Sequence, residues 1–219
     1  MKSGIIVLFS ALLAFIDPTI CDAQGETAVP FLTVPPSAAG NGMGGIVGST
    51  MSDDPMTTLA NPGQLGMMSL DHYFSGGFYP SGTAWLPGIQ QSGLTYSSTA
   101  FNAGLNLNRV TSLPFGLSVG IGYSHVGFNL GTFVITGSDP TPLGTFQGVE
   151  QTNNFSAAIG IDYYIRLGLG YTTKSVESNL ALMSALGGFG RAAVAQFSTS
   201  GIGAIAEVPV TKIINDITG

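Results

Sequence analysis

Between Phe101 and Arg109 the side chains alternate without a break. Phe101, Ala103, Leu105 and Leu107 fall on one side, and Asn102, Gly104, Asn106 and Asn108 on the other. A period of two belongs to a β-strand with unlike faces. The pattern returns in Leu117, Val119, Ile121 and Tyr123, again in Phe155, Ala157, Ile159, Ile161 and Tyr163, and again in Leu167, Leu169 and Tyr171. Their interleaved partners are Ser, Gly, Ala, Thr and one Asp. A soluble sheet usually turns charge to water on its polar side. Here that side is amide, hydroxyl and small residues with a single Asp.

Composition sharpens this. Only 8% of residues are charged, against about 25% in an ordinary soluble domain, and the mean hydropathy is +0.38. Beyond the N-terminus no apolar run approaches the roughly twenty residues that a membrane helix needs. In lipid the backbone must satisfy its own hydrogen bonds, which leaves helices and closed barrels. The sequence therefore predicts an all-β chain forming an antiparallel transmembrane β-barrel.

Lys2 followed by the apolar stretch 5–16 and the small residues Cys21 and Ala23 has the form of a signal peptide. Cleavage is expected between Ala23 and Gln24. A lipoprotein reading would acylate Cys21, but bulky Ile20 precedes it. Export removes the single cysteine, so the mature chain can form no disulfide and offers no thiol nucleophile. The net charge is −6 for the whole chain, with six Lys and Arg in all, and nothing suggests a nucleic-acid surface.

After a proline-bearing lead-in comes SAAGNGMGGIVGSTMSDDPMTTLANPGQL, residues 37–65. Glycine at Gly40, Gly42, Gly44 and Gly45 permits close backbone packing. Ser52 offers an N-cap, Asp53 and Asp54 suit the positive end of a helix, and Pro55 its first turn. One or two helical turns are expected over 56–60, stopped by Asn61-Pro62. The small-Ala-Gly-x-Gly-Met-Gly-Gly run, then Asp53-Asp54-Pro55, then Asn61-Pro62-x-x-Leu65, resembles the N-terminal segment of the PorV/PorQ family of outer-membrane barrels. More loosely it is similar to the FadL-type transporters of hydrophobic compounds. Family members usually read Asn-Pro-Ala where this chain has Gly63. The resemblance implies a FadL-like barrel whose lumen holds this segment as a hatch, with the hatch motif at Gly40, Gly42, Gly44, Gly45, Asp53, Asp54, Pro55, Asn61 and Pro62. Gly40, Gly42 and Gly45 also match G-x-G-x-x-G, but no strand feeds the loop and no acid lies about twenty residues on, so a dinucleotide site is not expected.

The organisation expected is therefore a signal peptide at 1–23, a lead-in and hatch at 24–65, and barrel strands over 66–219. In the strand region Asn102, Asn106, Asn108 and Asp162 take the polar side and are predicted to face the lumen. A one-residue slip would turn them outward. Parity changes near His125, where Val126, Phe128 and Leu130 carry the apolar side, and a bulge or a bend is expected there. Residues 136–150, with Pro140 and Pro142, have the composition of a long external loop. The 179–186 stretch suits a short helix or a crossing loop, and 193–199 and 203–208 two more strand pieces. Seven or eight strands result, about half of a FadL-like barrel, and the chain lacks a C-terminal aromatic. An N-terminal fragment is preferred to a complete eight-stranded barrel.

Little suggests catalysis. His72 beside Asp71, with Ser75 near, is the only conceivable hydrolase group, and neighbours on a strand point to opposite faces. No metal-ligand spacing and no cofactor motif stand out. The chain is read as a non-enzymatic outer-membrane barrel that contacts lipid. The PorV/PorQ resemblance implies a barrel subunit or docking partner of secretion-system or cell-surface proteins. The FadL likeness implies the alternative, passage of a small hydrophobic ligand.

Overall fold

A computed structural model describes residues 30–34, 36–79, 94–109, 111, 113–136, 141–179 and 194–208. The chain divides into two units after Pro30, and the sheet with the helices that pack on it belongs to the second, Phe31–Gly219. The expected signal peptide, its cleavage pair Ala23 and Gln24, most of the 179–186 stretch and the tail from Lys212 lie outside the described residues.

Six antiparallel strands follow one another in a single sheet: β1 (Phe74–Tyr79), β2 (Leu94–Asn106), β3 (Gly116–Thr136), β4 (Pro142–Asp162), β5 (Arg166–Asn179) and β6 (Val194–Glu207). Each pairs with the next in sequence, the simplest route for strands joined by short connections. Before them come α1 (Ala38–Gly42), a 3-10 turn at Pro55–Leu59, and α2 (Gly63–Asp71). The sequence predicts more and shorter strands. Residues from Leu94 through Phe101 and on to Asn106 instead form one strand, β2, and the two pieces near the C-terminus form one strand, β6.

The larger correction concerns 136–150. Pro142 opens β4, where a proline costs no ladder bond, and the β3–β4 ladder runs up to Thr136 opposite Pro142. β2 ends opposite Leu130 and β5 ends opposite Val149. Residues beyond those rows form a two-stranded ribbon that outreaches its described neighbours. The expected loop shrinks to its tip, of which only Thr141 is described.

β3 also carries no bulge at His125. Its register to β2 is unbroken from Ser118 to Leu130. The irregularities against β4 come between Asn129 and Gly131, where Gly131 takes φ +88°, and between Ile135 and Thr136. Val126 is apolar on an inward position because apolar chain covers it, not because the strand has slipped.

Helix α2 departs from expectation altogether, since the sequence suggests strands from Gly66. Its two glycines each cost about 1 kcal/mol of helix propensity, and nine residues are too few for a stable isolated helix. Packing makes it. Every residue from Gly63 to Leu70 is buried, and α2 lies across β2 to β6. Met67 and Leu70 meet Ile205 there. The segment boundary expected at residue 65 thus falls inside a helix.

Candidate functional site

The inner face of the sheet, the one covered by α2, carries the even-numbered residues of β2 to β5 and the odd ones of β6. Four cross-strand rows show how it is built. Lowest is Gly116, Asp162, Arg166 and Glu207; next Asn106, Ser118, Gly160, Gly168 and Ile205; then Gly104, Gly120, Ala158, Gly170 and Gly203; then Asn102, Gly122, Ser156, Thr172 and Gly201. The glycines are where α2 touches backbone. A Cβ at Gly160 would lie 2.1 Å from the Gly66 carbonyl oxygen, at Gly168 2.2 Å from that of Gly63, and at Gly170 2.3 Å from that of Pro62. Ser118 Oγ donates to the Gly66 oxygen at 2.8 Å. The inner face is a floor shaped for one helix.

The hatch-motif residues knit the rest of the segment together. Asp54, not Ser52, caps the 3-10 turn, accepting from Met56 N at 2.9 Å, while Ser52 Oγ accepts from Asp54 N at 3.2 Å. The other Asp54 oxygen accepts from Ser37 Oγ at 2.5 Å and Tyr79 Oη at 3.1 Å, tying α1 and β1 to the turn. Pro55 lies against Gly77. Asn61 Nδ2 donates to Gly48 O at 2.7 Å and Ala204 O at 3.0 Å, and its Oδ1 accepts from Gly63 N. Pro62 precedes α2 and rests on Gly170 and Gly203. Gly40 is buried against Val47, Gly42 faces open space, and Gly44 and Gly45 take φ +72° and +84°. Asp53 stays exposed, 3.4 Å from His72 Nε2.

Of the residues predicted to face the lumen, Asn102 and Asn106 lie under the segment, donating to Pro55 O at 3.4 Å and Leu70 O at 2.7 Å. Asn108 falls in a 3-10 turn, Leu107–Arg109, beyond the end of β2, so strand parity does not apply to it. There its Oδ1 accepts from Leu117 N at 3.2 Å. Asp162 closes β4 at the short-turn end. It lies 3.9 Å from Arg166 Nε, beside the pairs Arg166–Asp71 at 2.5 Å and Arg166–Glu207 at 3.1 Å. Arg166 thereby clamps the end of α2 to β4, β5 and β6. Sequence order hides this role of Arg166, because its partners Asp71 and Glu207 lie far away along the chain. The imagined Asp71–His72–Ser75 group is not assembled: Asp71 turns to Arg166 and His72 to Asp53. Among the described residues no three His, Cys, Asp or Glu side chains are placed to hold a metal.

The opposite face is apolar and open. Its rows, rising, are Leu117, Ile161, Leu167 and Ala206; Leu105, Val119, Ile159, Leu169 and Ala204; Phe74, Ala103, Ile121, Ala157, Tyr171 and Ile202; and Gly76, Phe101, Tyr123, Phe155, Thr173 and Ser200. Ile121 is 68% exposed, Phe155 59% and Ile202 85%. No charged side chain sits in these rows. Above them the face becomes polar at His125 and Asn153, whose side chains are 3.0 Å apart, and at Glu177, which accepts from Gln151. Tyr163 and Tyr164 stand exposed at the lower turn.

Higher on the inner face the rows change again, to Ser124, Asn154 and Lys174, then Val126, Thr152 and Val176, then Tyr96, Phe128, Glu150 and Ser178. Here strand side chains reach the segment, Tyr96 Oη donating to Val34 O at 3.4 Å and Ser98 Oγ to Pro36 O at 3.1 Å. A cavity of about 260 Å³ remains, walled by Phe31, Val47, Leu59, Tyr96, Val126, Thr152 and Lys174 among others. Lys174 Nζ donates to Leu59 O at 2.9 Å. The sequence signal for this chamber is the change of parity at Val126, which on the chain alone has the look of a bulge.

Comparison with family models, with curated proteins and with solved structures finds no match.

Proposed function

We propose that this chain is an outer-membrane β-barrel protein without enzymatic activity, of the PorV/PorQ kind, acting as a barrel subunit or docking partner in protein secretion or cell-surface assembly. The observation that carries the barrel reading is the exposed outer face, four charge-free rows on an antiparallel sheet in which all but Gly76, Thr173 and Ser200 are Phe, Ile, Leu, Val, Ala or Tyr. Water penalises such a surface and lipid does not. Residues 37–71 are then a hatch inside the lumen, and β1 and β6 meet further strands that complete the wall, because lipid tolerates no open edge. The backbone-tight seat of α2 favours a filled barrel that docks a partner over one that conducts. The projecting β3–β4 ribbon is the surface offered to that partner.

One observation favours a second reading, a FadL-type route for small hydrophobic compounds. The apolar cavity beside the segment is what such a route needs.

Fractionation of cells expressing the full chain, with gel mobility read before and after heating, tests the barrel. An outer-membrane band whose mobility shifts on heating is expected; a soluble chain of fixed mobility would overturn the reading. Crosslinking from the ribbon, at Thr145 and Gln147, then separates docking from transport. Capture of another envelope protein supports docking, and solute uptake without capture supports the alternative.

A further inference from the structure

The apolar rows of the outer face are not flat. Between β1 and β4 they leave a shallow hollow of about 510 Å³, with Phe74, Phe101, Ile121, Tyr123 and Phe155 standing around Ala103. The Tyr123 and Phe155 rings pack with centroids 5.0 Å apart. Below lie only charge-free rows. Above, the hollow ends at a polar group. Asn153 Oδ1 accepts from Tyr123 Oη at 2.9 Å and lies 3.0 Å from His125 Nδ1. Both contacts fall on the oxygen, so the two N–H donors of half-buried Asn153 Nδ2 have no partner among the described residues. The row around it is Phe78, Thr99, His125, Asn153, Ser175 and Ser198, without Lys or Arg.

The height of this polar group decides what it meets. From Leu117 to His125 the strand climbs about 27 Å, or roughly 21 Å at the tilt usual in such barrels, against an apolar band of about 25 Å. Asn153 therefore stands where lipid hydrocarbon gives way to acyl carbonyls. We infer that the hollow holds one lipid of the surrounding membrane, its acyl carbonyl accepting from Asn153 Nδ2 and its chain running down past Tyr123 over Ala103. From the Asn153 row to the Ile121 row is about 14 Å of strand, within the ~15 Å that half of the hydrocarbon core gives one chain. An amide donor turned to hydrocarbon without an acceptor is costly, and a lipid carbonyl removes that cost. A pure hydrocarbon does not remove it. A phosphate headgroup finds no cation in this row, so the carbonyl and the chain make the contact. The inference deepens the barrel reading and rests on it.

Native mass spectrometry of the full chain, purified in mild detergent from whichever cell fraction holds it, tests this with two probes. One is a diacyl phosphatidylethanolamine; the other is its dialkyl ether analogue, with the same headgroup and chains but no carbonyl. The expected result is one diacyl lipid per chain, retained under activation that strips the rest, and preferred to the ether lipid about fivefold, the effect of one hydrogen bond. Asn153→Leu should level the two lipids, and Ala103→Phe, which fills the hollow, should release both. Ala204→Phe, on the same face but outside the hollow, should change neither. Equal retention of the two lipids by the wild type, a preference that survives Asn153→Leu, or a lipid kept by Ala103→Phe would overturn the inference. So would a dimer carrying no lipid, which would give the hollow to a second copy of the chain. If a variant does not fold, the wild-type comparison decides, since it needs no substitution. A heat-modifiable barrel that retains no lipid sinks the site alone, whereas a chain recovered soluble sinks the barrel reading and the site with it.

Discussion

The lower and upper halves of the inner face solve the same problem in opposite ways. Both must meet the 31–71 segment. Below, side chains are deleted: Gly160, Gly168 and Gly170 let segment backbone rest on strand backbone, and Gly104, Gly120 and Gly203 make room for Ser69, Leu65, Asn61 and Pro62. Above, side chains are kept: Tyr96, Val126, Val176 and Lys174 hold the segment off and leave a chamber. A seat without side chains leaves α2 little room to slide, whereas a wall of side chains can admit a guest. Position and capacity are divided between the two halves.

The harshest way to break this contrast is to put a methyl group into the seat. Gly160→Ala places a Cβ 2.1 Å from the Gly66 oxygen, and neither backbone can yield cheaply. A loss of about 3 kcal/mol or more, or failure to assemble, is expected. Gly203→Ala meets Asn61 and Pro62 at 2.2 and 2.6 Å and should behave similarly. Gly201→Ala, one pleat away, meets only Thr172 Cγ2 at 3.6 Å and should change stability by less than about 0.5 kcal/mol. Thermal melting of the three variants checks the series. Equal effects would mean that α2 does not sit where the glycines place it.

On the other side of the same strands, Ile121→Arg asks what the apolar rows touch. Ile121 is already 68% exposed, so in water the change costs little. Facing lipid near mid-membrane, an arginine costs about 2–4 kcal/mol in such barrels. Folding titrations in lipid vesicles read the difference directly. A cost near zero would remove the main support for the membrane reading.

The next effect is smaller and belongs to the lower half. Arg166→Met leaves Asp71, Asp162 and Glu207 facing one another without their shared cation. The three acids are partly exposed, so screening limits the loss to about 1–2 kcal/mol. It should shrink as salt is added, within a Debye length of about 10 Å at 0.1 M. Melting temperatures at low and high salt measure it. The upper half, which holds Lys174 without an acidic partner among the described residues, should show no such dependence.

The strands were legible because alternation is a local property. Phe101 to Asn106 or Phe155 to Ile161 declare both faces without help from the rest of the chain. The helix α2 was not, since Gly-Gln-Leu-Gly-Met-Met-Ser has poor local propensity and is made helical by the floor beneath it. The glycines of the strands suggest a polar lumen wall, when their role is to be absent. Val126 misleads for a related reason: an apolar inward residue signals a cavity only when its cover is known. Asn108 shows the limit of parity, which ends where the strand ends. Arg166, Lys174 and Asn153 owe their roles to cross-strand and helix neighbours that sequence order does not display.

The finest division lies inside the glycine motif itself. Gly42 and Gly44 both face open space, so neither is needed for close packing. They differ in backbone. Gly42 is the last residue of α1, in a conformation any residue can take, and Gly44 sits at φ +72°. Gly42→Ala should therefore stabilise slightly, by up to about 0.5 kcal/mol, through a less flexible unfolded chain. Gly44→Ala should cost about 1 kcal/mol, because a side chain strains that φ. Opposite signs from one substitution, two residues apart, can be read in paired melts of otherwise identical chains. Equal signs would mean that the motif's glycines are there for space, as they are on the floor, and would extend the logic of the lower half to the loop after α1. Opposite signs would confine that logic to the strands and assign Gly44 to the turn that carries the chain out of α1 toward Val47.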